Sequence, residues 1–280
     1  MKRTLRQIIR GMPATDGAGV ELVRVIGQPA LDMFDPFLLL DTFRSDDPDD
    51  YIAGFPPHPH RGFETVTYLL NGKMRHKDNA GHEGVIEAGG IQWMTAGKGI
   101  IHSEMPEQED GLLEGFQLWV NLPSEHKMDS PAYQEYSADK IPTETRNGAE
   151  IRVITGTTCE GTSGPVVQPL TEPLYLDVKL NAGTEFIERI ASGHNAFLYG
   201  IEGETLLDNS KGESQAVTRD QLALLSEGEE ISVMAGAEGS RFLVISGKPL
   251  KESVARGGPF VMNTQQELRQ AFHDYQSGNF

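Results

Sequence analysis

Short segments in which apolar and polar residues alternate dominate the chain. Segments 65–70, 91–95 and 116–121 are rich in β-branched and aromatic residues, and glycine-containing turns separate them. Segment 65–70 ends at Asn71-Gly72, a dipeptide that strongly indicates a hairpin turn. Short, closely spaced strands of this kind are typical of a barrel or sandwich, so the pattern predicts an all-β fold.

A helical pattern is convincing only at the C-terminal end. Leu268, Ala271, Phe272 and Tyr275 follow helical spacing and share one face, and Asn263-Thr264 offers a cap before them. We therefore expect one short C-terminal helix on an otherwise all-β protein.

Two segments that lie 131 positions apart resemble each other, Tyr68–Gly72 and Tyr199–Gly203. A repeat of this size indicates a duplicated domain rather than a solenoid. Residues 121–150 are polar and contain three prolines, so we place the connection between the domains there. The predicted domains are residues 1–135 and 136–280.

Charge and composition exclude several classes of protein. The chain has 24 Lys and Arg against 41 Asp and Glu, a net charge of −17, which disfavours bulk nucleic-acid binding. The single cysteine cannot form an intramolecular disulfide, which fits a reducing compartment. The apolar run Phe37–Leu40 is far shorter than the roughly 20 residues of a membrane span, and the N-terminus lacks the apolar core of a signal peptide. We expect a cytoplasmic protein with no membrane segment.

The segment around His58 and His60 is the first candidate for chemistry. Residues i and i+2 of an extended strand point to the same face, so the two imidazoles would project together, as a shared metal ion requires. Pro59 between them has no backbone N–H, which predicts an edge strand or an irregular strand start.

A second pair, His102 and Glu104, has the same spacing in a strand-like segment. Three nitrogens and one carboxylate oxygen would suit a first-row divalent ion such as Fe(II), Mn(II), Ni(II), Cu(II) or Zn(II). Four protein ligands on an octahedral ion leave two positions for substrate, water or dioxygen. Glu64 shares the parity of His58 and His60, so it is the competing carboxylate, either as the fourth ligand or as a group that orients an imidazole.

Other histidines have a plainer interpretation. His76 and His82 lie in a polar stretch flanked by glycines, and we expect them to be exposed. The shift of 131 residues carries the four candidate ligands onto positions that cannot bind a metal. We therefore expect the second half of the chain to support or shield the first half, or to recognise a ligand, without binding a metal itself. Those positions are Arg189, Ala191, Val233 and Ala235.

These residues resemble the pirin family, within the cupin superfamily. The matching segments are DPFLLLD, HPHRGFETVTYLLNG, GGIQWMTAGKGIIHSEMP, FQLWVNLP and GGPFVMNT, and they extend from Asp35 to Thr264. The resemblance implies a bicupin, in which two antiparallel β-barrels of the double-stranded β-helix or jelly-roll type face each other. It also implies that only the N-terminal barrel binds metal.

The resemblance further implies that His58, His60, His102 and Glu104 are the metal ligands, because each occupies the matching position of the pirin motif. The general cupin pattern would instead favour Glu64 as the carboxylate. Family members are reported as iron-binding proteins, so we expect one divalent ion, with Fe(II) first and Mn, Ni, Cu, Co or Zn as alternatives.

The resemblance implies more than one function, because members of the family differ in what they do. Several members are credited with quercetin 2,3-dioxygenase activity, while animal members act as nuclear transcription cofactors. We expect a dioxygenase that takes a flavonol-like substrate and dioxygen, with Glu104 as the general base. The alternative is a metal- or redox-dependent interaction module that binds a protein partner without catalysis.

Because two barrels in one chain imitate a dimer, we expect a monomer. Candidate residues for the substrate pocket are Phe55, Phe63, Trp93, Met94 and Trp119.

Overall fold

The computed structural model describes all residues from Met1 to Phe280. Strands comprise 57% of the chain and helix 8%, so the prediction of an all-β fold with a short C-terminal helix is confirmed. The helix α1 spans Gln265–Gln276, and short 3-10 turns lie at Pro48–Asp50, Ser124–His126 and Ala138–Lys140. The strands are β1 (Leu5–Arg10), β2 (Met12–Asp16), β3 (Val20–Ile26), β4 (Phe37–Ser45), β5 (Phe55–His60), β6 (Phe63–Asn71), β7 (Lys73–Asp78), β8 (Glu83–Glu87), β9 (Ile91–Thr95), β10 (Ile100–Pro106), β11 (Leu113–Asn121), β12 (Ala132–Tyr136), β13 (Thr143–Arg146), β14 (Ala149–Thr155), β15 (Leu174–Leu180), β16 (Glu185–Arg189), β17 (Asn195–Asp208), β18 (Ser214–Val217), β19 (Gln221–Leu225), β20 (Glu230–Gly247), β21 (Ala255–Gly257) and β22 (Phe260–Met262).

The chain forms two compact units, and each draws on three segments. We call them the N-terminal unit and the C-terminal unit. The first twelve residues belong to the C-terminal unit, where β1 pairs with β19, and α1 belongs to the N-terminal unit, where it packs on β21 and β22. Both terminal segments therefore lie outside the contiguous halves that the sequence suggested. The N-terminal unit consists of Pro13–Gly27, Phe37–Ala138 and Leu250–Phe280, and the C-terminal unit of Met1–Met12, Gln28–Pro36 and Asp139–Pro249.

Two antiparallel sheets build the N-terminal unit. The larger has the strand order β12-β9-β6-β11-β4-β3-β2, and the smaller has the order β5-β10-β7-β8. Buried apolar side chains from both sheets share one core, for example Leu69 and Phe43 from the larger sheet and Met74 and Ile86 from the smaller. The two sheets therefore pack face to face.

The C-terminal unit contains one sheet of nine strands. Its main path is β1-β19-β17-β20-β15-β14-β13, with β16 paired to β20 and β18 paired to β17. The run β9-β6-β11-β4 of the N-terminal unit corresponds to the run β19-β17-β20-β15 here. This shared strand order agrees with the duplicated domain predicted from the repeat.

The helix α1 begins as the sequence predicts. Thr264 is the N-cap: its hydroxyl accepts from the Glu267 N–H at 3.2 Å, and the Glu267 carboxylate accepts from the Thr264 N–H at 2.8 Å. This reciprocal capping box satisfies two backbone donors at the helix start. Leu268 and Ala271 are buried beneath the helix. No helix of the structure has the length and apolar character needed to cross a membrane.

Candidate metal centre

Three histidines meet on the smaller sheet of the N-terminal unit. β5 and β10 are antiparallel, and His102 lies directly opposite His58, so both side chains project from the same face. Their ring centroids are 4.5 Å apart, and that of His60 is 4.6 Å from His58 and 5.0 Å from His102. One ring nitrogen from each of the three histidines lies within 4.8 Å of the others. The structure thus brings together the three histidines that the strand parity singled out.

The electrostatics of this cluster suit a cation. Burial lowers the pKa of His60 and of His102 well below the ordinary value, and the neighbouring histidines lower it further. Both imidazoles are therefore neutral near pH 7 and can offer a nitrogen lone pair. Neither ring nitrogen of His102 has a hydrogen-bond partner, although the ring is only 1% exposed. Unpartnered buried nitrogens are costly unless a ligand binds them.

His58 is oriented by its own backbone. Its Nδ1 donates to the carbonyl oxygen of Pro56 at 2.9 Å, which leaves the lone pair on Nε2. The Nε2 atoms of His58 and His60 are 3.0 Å apart. A hydrogen bond to the outer nitrogen is the usual way in which proteins orient a metal-binding imidazole. The donor set therefore fits a divalent metal ion.

A clamped turn follows directly after His60. Gly62 has φ +87°, and a Cβ there would collide with the carbonyl oxygen of Val261, so only glycine fits. The buried Lys127 donates to the Gly62 carbonyl and to the Asn121 side chain, each at 2.7 Å, and to the Val261 carbonyl at 2.9 Å. Burial lowers the pKa of Lys127 to about 8. These contacts fix the change of direction between β5 and β6.

This turn sets the face of β6 to which Glu64 points. It interrupts the alternation that starts at His58, so Phe63 and Thr67 of β6 face the histidines: the Phe63 ring is 5.1 Å from His60. Glu64 points to the other face of β6, where it accepts from the Thr95 hydroxyl at 2.7 Å. The expectation that Glu64 shares the face of His58 and His60 is therefore wrong.

Glu104 reaches the cavity beside the histidines and is only 2% exposed. Its Oε1 accepts from the Thr67 hydroxyl and its Oε2 from the Gln117 amide, both at 2.8 Å. Each oxygen keeps a further lone pair, because a carboxylate has about four acceptor sites. Glu104 lies outside the tight group of three imidazole nitrogens. Its assignment as fourth ligand stays a prediction.

His58, His60 and Glu104 line a cavity of about 570 Å³, and the His102 ring lies 4.5 Å from the His58 ring. Trp119 forms part of its wall, with its ring 5.2 Å from His60 and 5.1 Å from the Arg256 guanidinium. Of the pocket residues expected from the sequence, Phe55 and Trp119 line the cavity, whereas the other three do not. The lining residues are Asp16, Gly17, Ala18, Leu22, Arg24, Leu39, Asp41, Phe43, Phe55, Pro56, Pro57, His58, His60, Thr67, Met74, Glu104, Gln117, Trp119, Arg256, Gly258 and Pro259.

A charged group lies on the same cavity wall. Arg24 donates to both carboxylate oxygens of Asp41, at 2.6 and 2.9 Å, and to Asp16 at 2.8 Å. This bidentate pairing is geometrically specific, and it raises the pKa of Arg24 further above its ordinary value. The cavity thus combines an apolar surface with ordered donors and acceptors.

The structure contains a second cluster of possible metal ligands that was not expected from the sequence. His76 of β7 is fully buried, so the expectation that it is exposed is wrong, while the His82 side chain is 40% exposed. Together with Glu135 these residues place three ligand atoms within 4.8 Å. The sequence contained one signal for this cluster, because Met74, His76 and Asp78 alternate with the basic residues Arg75 and Lys77. The structure shows that all three alternating residues are buried.

Family models account for most of the chain. A model described as pirin matches residues 19–120, and one described as the pirin C-terminal cupin domain matches residues 175–280. The chain belongs to the pirin family. The resemblance noted in the sequence and the predicted bicupin fold are both confirmed.

Relatives of this pirin span almost its full length. A pirin-like protein of Caulobacter vibrioides is 50% identical, with 99% of each chain covered. A Pseudomonas aeruginosa protein, provisionally named a quercetin 2,3-dioxygenase, is 49% identical over 99% of this chain and 97% of its own. A solved structure named quercetin 2,3-dioxygenase from Acinetobacter baumannii has a TM-score of 0.90 and 33% identity, and it covers 100% of this chain and 99% of its own.

Proposed function

We propose that this pirin is a metal-dependent dioxygenase that opens the flavonol ring of quercetin-like substrates at a single divalent ion. The observation that carries the proposal is that three imidazoles converge and that two of them, His58 and His60, line one cavity of about 570 Å³ together with Glu104. Relatives named for this activity share the family and the fold, which supports the substrate class.

His58, His60, His102 and Glu104 would hold the ion. Neutral imidazole and carboxylate ligands are compatible with Fe(II), which is our first choice, and with Mn, Ni, Cu, Co or Zn. A bound ion of this kind lowers the pKa of a hydroxyl group that it touches and stabilises the resulting anion.

Glu104 would accept the proton of the flavonol 3-hydroxyl. A carboxylate oxygen within hydrogen-bond reach of that proton can act as a general base. The Thr67 hydroxyl and the Gln117 amide hold the two oxygens of Glu104 in place, each at 2.8 Å. A buried base held by two donors keeps its orientation without reorganising during the reaction.

The cavity would bind the flat ring system of the substrate. Its volume lies within the range of about 300–1,000 Å³ that is usual for sites of small ligands. Phe55 and Trp119 offer aromatic surface, and Arg24 with its two aspartates offers polar partners for hydroxyl groups. Water would be displaced from the apolar part of the wall when the substrate enters.

The proposed reaction balances with dioxygen as the only oxidant. Two carbon–carbon bonds of the central ring break, the carbon that carried the 3-hydroxyl leaves as carbon monoxide, and both atoms of dioxygen enter the ring-opened ester. The proton that Glu104 accepts returns to the product carboxylate or to solvent.

The experiment follows the flavonol absorption band with Fe(II)-loaded protein under air and under nitrogen. We expect loss of the band under air alone, release of carbon monoxide, and no turnover by His58→Ala. His273→Ala serves as the matched control, because that histidine lies exposed on α1, and it should retain full activity.

Two results would contradict the proposal. Turnover by His58→Ala equal to that of the wild type would remove the metal site from catalysis. Stoichiometric metal without oxygen-dependent turnover would instead favour the alternative, a metal-dependent interaction module.

A further inference from the structure

The cluster of His76, His82 and Glu135 joins the edges of two sheets within the N-terminal unit. His76 lies on β7 of the smaller sheet, and His82 immediately precedes its edge strand β8. Glu135 lies on β12, the edge strand of the larger sheet. We call these three residues the edge cluster.

The geometry of the edge cluster approaches that of a metal site. The Nε2 of His82 is 3.6 Å from Oε1 of Glu135, and the Nε2 of His76 contacts the same oxygen. Ligand atoms about 2.0–2.2 Å from a zinc ion stand roughly 3.4 Å apart in a tetrahedron. The His82–Glu135 separation already fits this spacing, and the His76–Glu135 contact would lengthen to admit the ion.

Each histidine of the cluster has a buried ring nitrogen that lacks a hydrogen-bond partner. The Nδ1 of the fully buried His76 and the Nε2 of His82 have no hydrogen-bond partner. Burial opposes ionisation of Glu135, but contacts with His76 and Gln92 outweigh it and lower the pKa of the carboxyl group below its ordinary value. The cluster therefore offers an ionised carboxylate and buried nitrogen atoms at one place.

The local chain holds the edge cluster in place. The carboxylate of Asp78 accepts from the backbone N–H groups of Ala80 and His82, each at 2.8 Å, and so fixes the turn that carries His82. The same carboxylate accepts from the Tyr133 hydroxyl at 2.9 Å. The Tyr133 ring lies 4.2 Å from the His82 ring and 5.5 Å from the His76 ring. Both imidazoles are thus packed before any ligand arrives.

A missing side chain leaves space at the centre of the cluster. Gly84 lies opposite His76 on β8, and a Cβ there would be 2.7 Å from Nε2 of His76 and 3.1 Å from Oε2 of Glu135. The backbone of Gly84 is not in the left-handed region, so no turn geometry demands glycine at this position. Its absent side chain keeps open the space around the ligand atoms.

We propose that the edge cluster is a second site for a first-row divalent ion, separate from the centre formed by His58, His60 and His102. Two imidazoles and one carboxylate form a zinc-type donor set that leaves a fourth position for water. Because its ligands come from β7, the turn before β8, and β12, the ion joins the edges of the two sheets. Its role is to stabilise the N-terminal unit.

The test counts zinc ions bound per chain after equilibrium dialysis against Zn²⁺. We expect about two ions in the wild type and in the control His273→Ala, and about one in His82→Ala and in Gly84→Ala. The double variant His58→Ala/His102→Ala, which lacks His58 and His102, should also retain about one ion. The further change His82→Ala should remove that ion. Zinc should raise the melting temperature of the variant lacking His58 and His102, and the addition of His82→Ala should abolish that rise.

The two metal sites can fail separately in this test. If the first centre binds no zinc, the wild type holds one ion and His82→Ala none, and the edge site stands. If His82→Ala and Gly84→Ala both fold, as circular dichroism would show, and bind as much zinc as the wild type, the edge site is overturned. The edge site is also overturned if the variant lacking His58 and His102 still binds zinc after the further change His82→Ala.

Discussion

The two units share a strand order but fill corresponding positions differently. In the N-terminal unit, β10 places His102 opposite His58 of β5. In the C-terminal unit, the first part of β20 places Val233 opposite Phe186 of β16. Val233 and Phe186 are each 2% exposed and belong to one large apolar core with Ala235. A site in this fold therefore depends on a few inward side chains and not on the sheet itself.

The constant shift of 131 residues misplaced two of these correspondences. It assigned Arg189 and Ala191 as counterparts of His58 and His60, whereas the strand register gives Phe186 and Glu188. The cause is loop length. The connection between β16 and β17 spans five residues, 190–194, and that between β5 and β6 spans two, 61–62, a difference of 5 − 2 = 3.

Glu188 shows what a polar residue does in the C-terminal unit. It is fully buried and forms an ion pair with Arg146, and its Oε1 also accepts from the Cys159 backbone N–H at 2.7 Å. These contacts hold the fold together and leave Glu188 no role at a cavity. His60 instead faces a cavity with a ring nitrogen that lacks a hydrogen-bond partner.

We expect the largest effect on turnover when the two buried carboxylates of the N-terminal unit, Glu104 and Glu64, are substituted in turn. Glu104→Gln removes the proposed base, so turnover of the flavonol should fall by about 100- to 10,000-fold. Glu64→Gln is the matched control, since Glu64 is equally buried but points to the other face of β6, and it should retain turnover and metal. Steady-state kinetics and metal analysis of both variants measure this difference. The reverse pattern would make Glu64 the functional carboxylate.

The next largest effect is on the free energy of unfolding, and it differs between the two units. Phe186→Ala opens a hole in the apolar core of the C-terminal unit and should lower the free energy of unfolding by about 3–5 kcal/mol. His102→Ala in metal-free protein should cost clearly less, because it removes two buried nitrogens that have no hydrogen-bond partner. Urea unfolding of both variants tests this ranking. Equal losses would mean that His102 serves mainly as core packing.

The smallest effect is a pH dependence of stability that arises from two buried histidines of the N-terminal unit. The pKa values of His60 and His102 are lowered in the folded state, so below about pH 6.5 the unfolded chain binds protons that the folded chain does not. Stability of the metal-free protein should therefore fall with falling pH, by about 1.4 kcal/mol per pH unit for each histidine. Urea unfolding between pH 7.5 and 5.5 measures the slope. His102→Ala should reduce it, and an unchanged slope would contradict this account.

Local patterns of the sequence were enough for much of the fold and for the three histidines. Alternation predicted strands, and the spacing of His58 and His60 predicted a shared face. The direction of the Glu64 side chain depends on the turn at Gly62, and long-range contacts of Gly62 with Lys127 and Val261 hold that turn in place. The edge cluster depends on a long-range approach, because Glu135 follows His76 by 135 − 76 = 59 residues. The pairing of β1 with β19 is also a long-range contact that no local pattern encodes.

An anomalous-difference map from crystals of Fe(II)-loaded protein, measured at the iron edge, would show directly whether His58, His60, His102 and Glu104 bind a metal ion. We predict a peak within coordination distance of ring nitrogens of His58, His60 and His102 and of the Glu104 carboxylate, and no peak beside Phe186 and Val233 in the C-terminal unit. Well-ordered density with no peak among those three histidines would contradict the account.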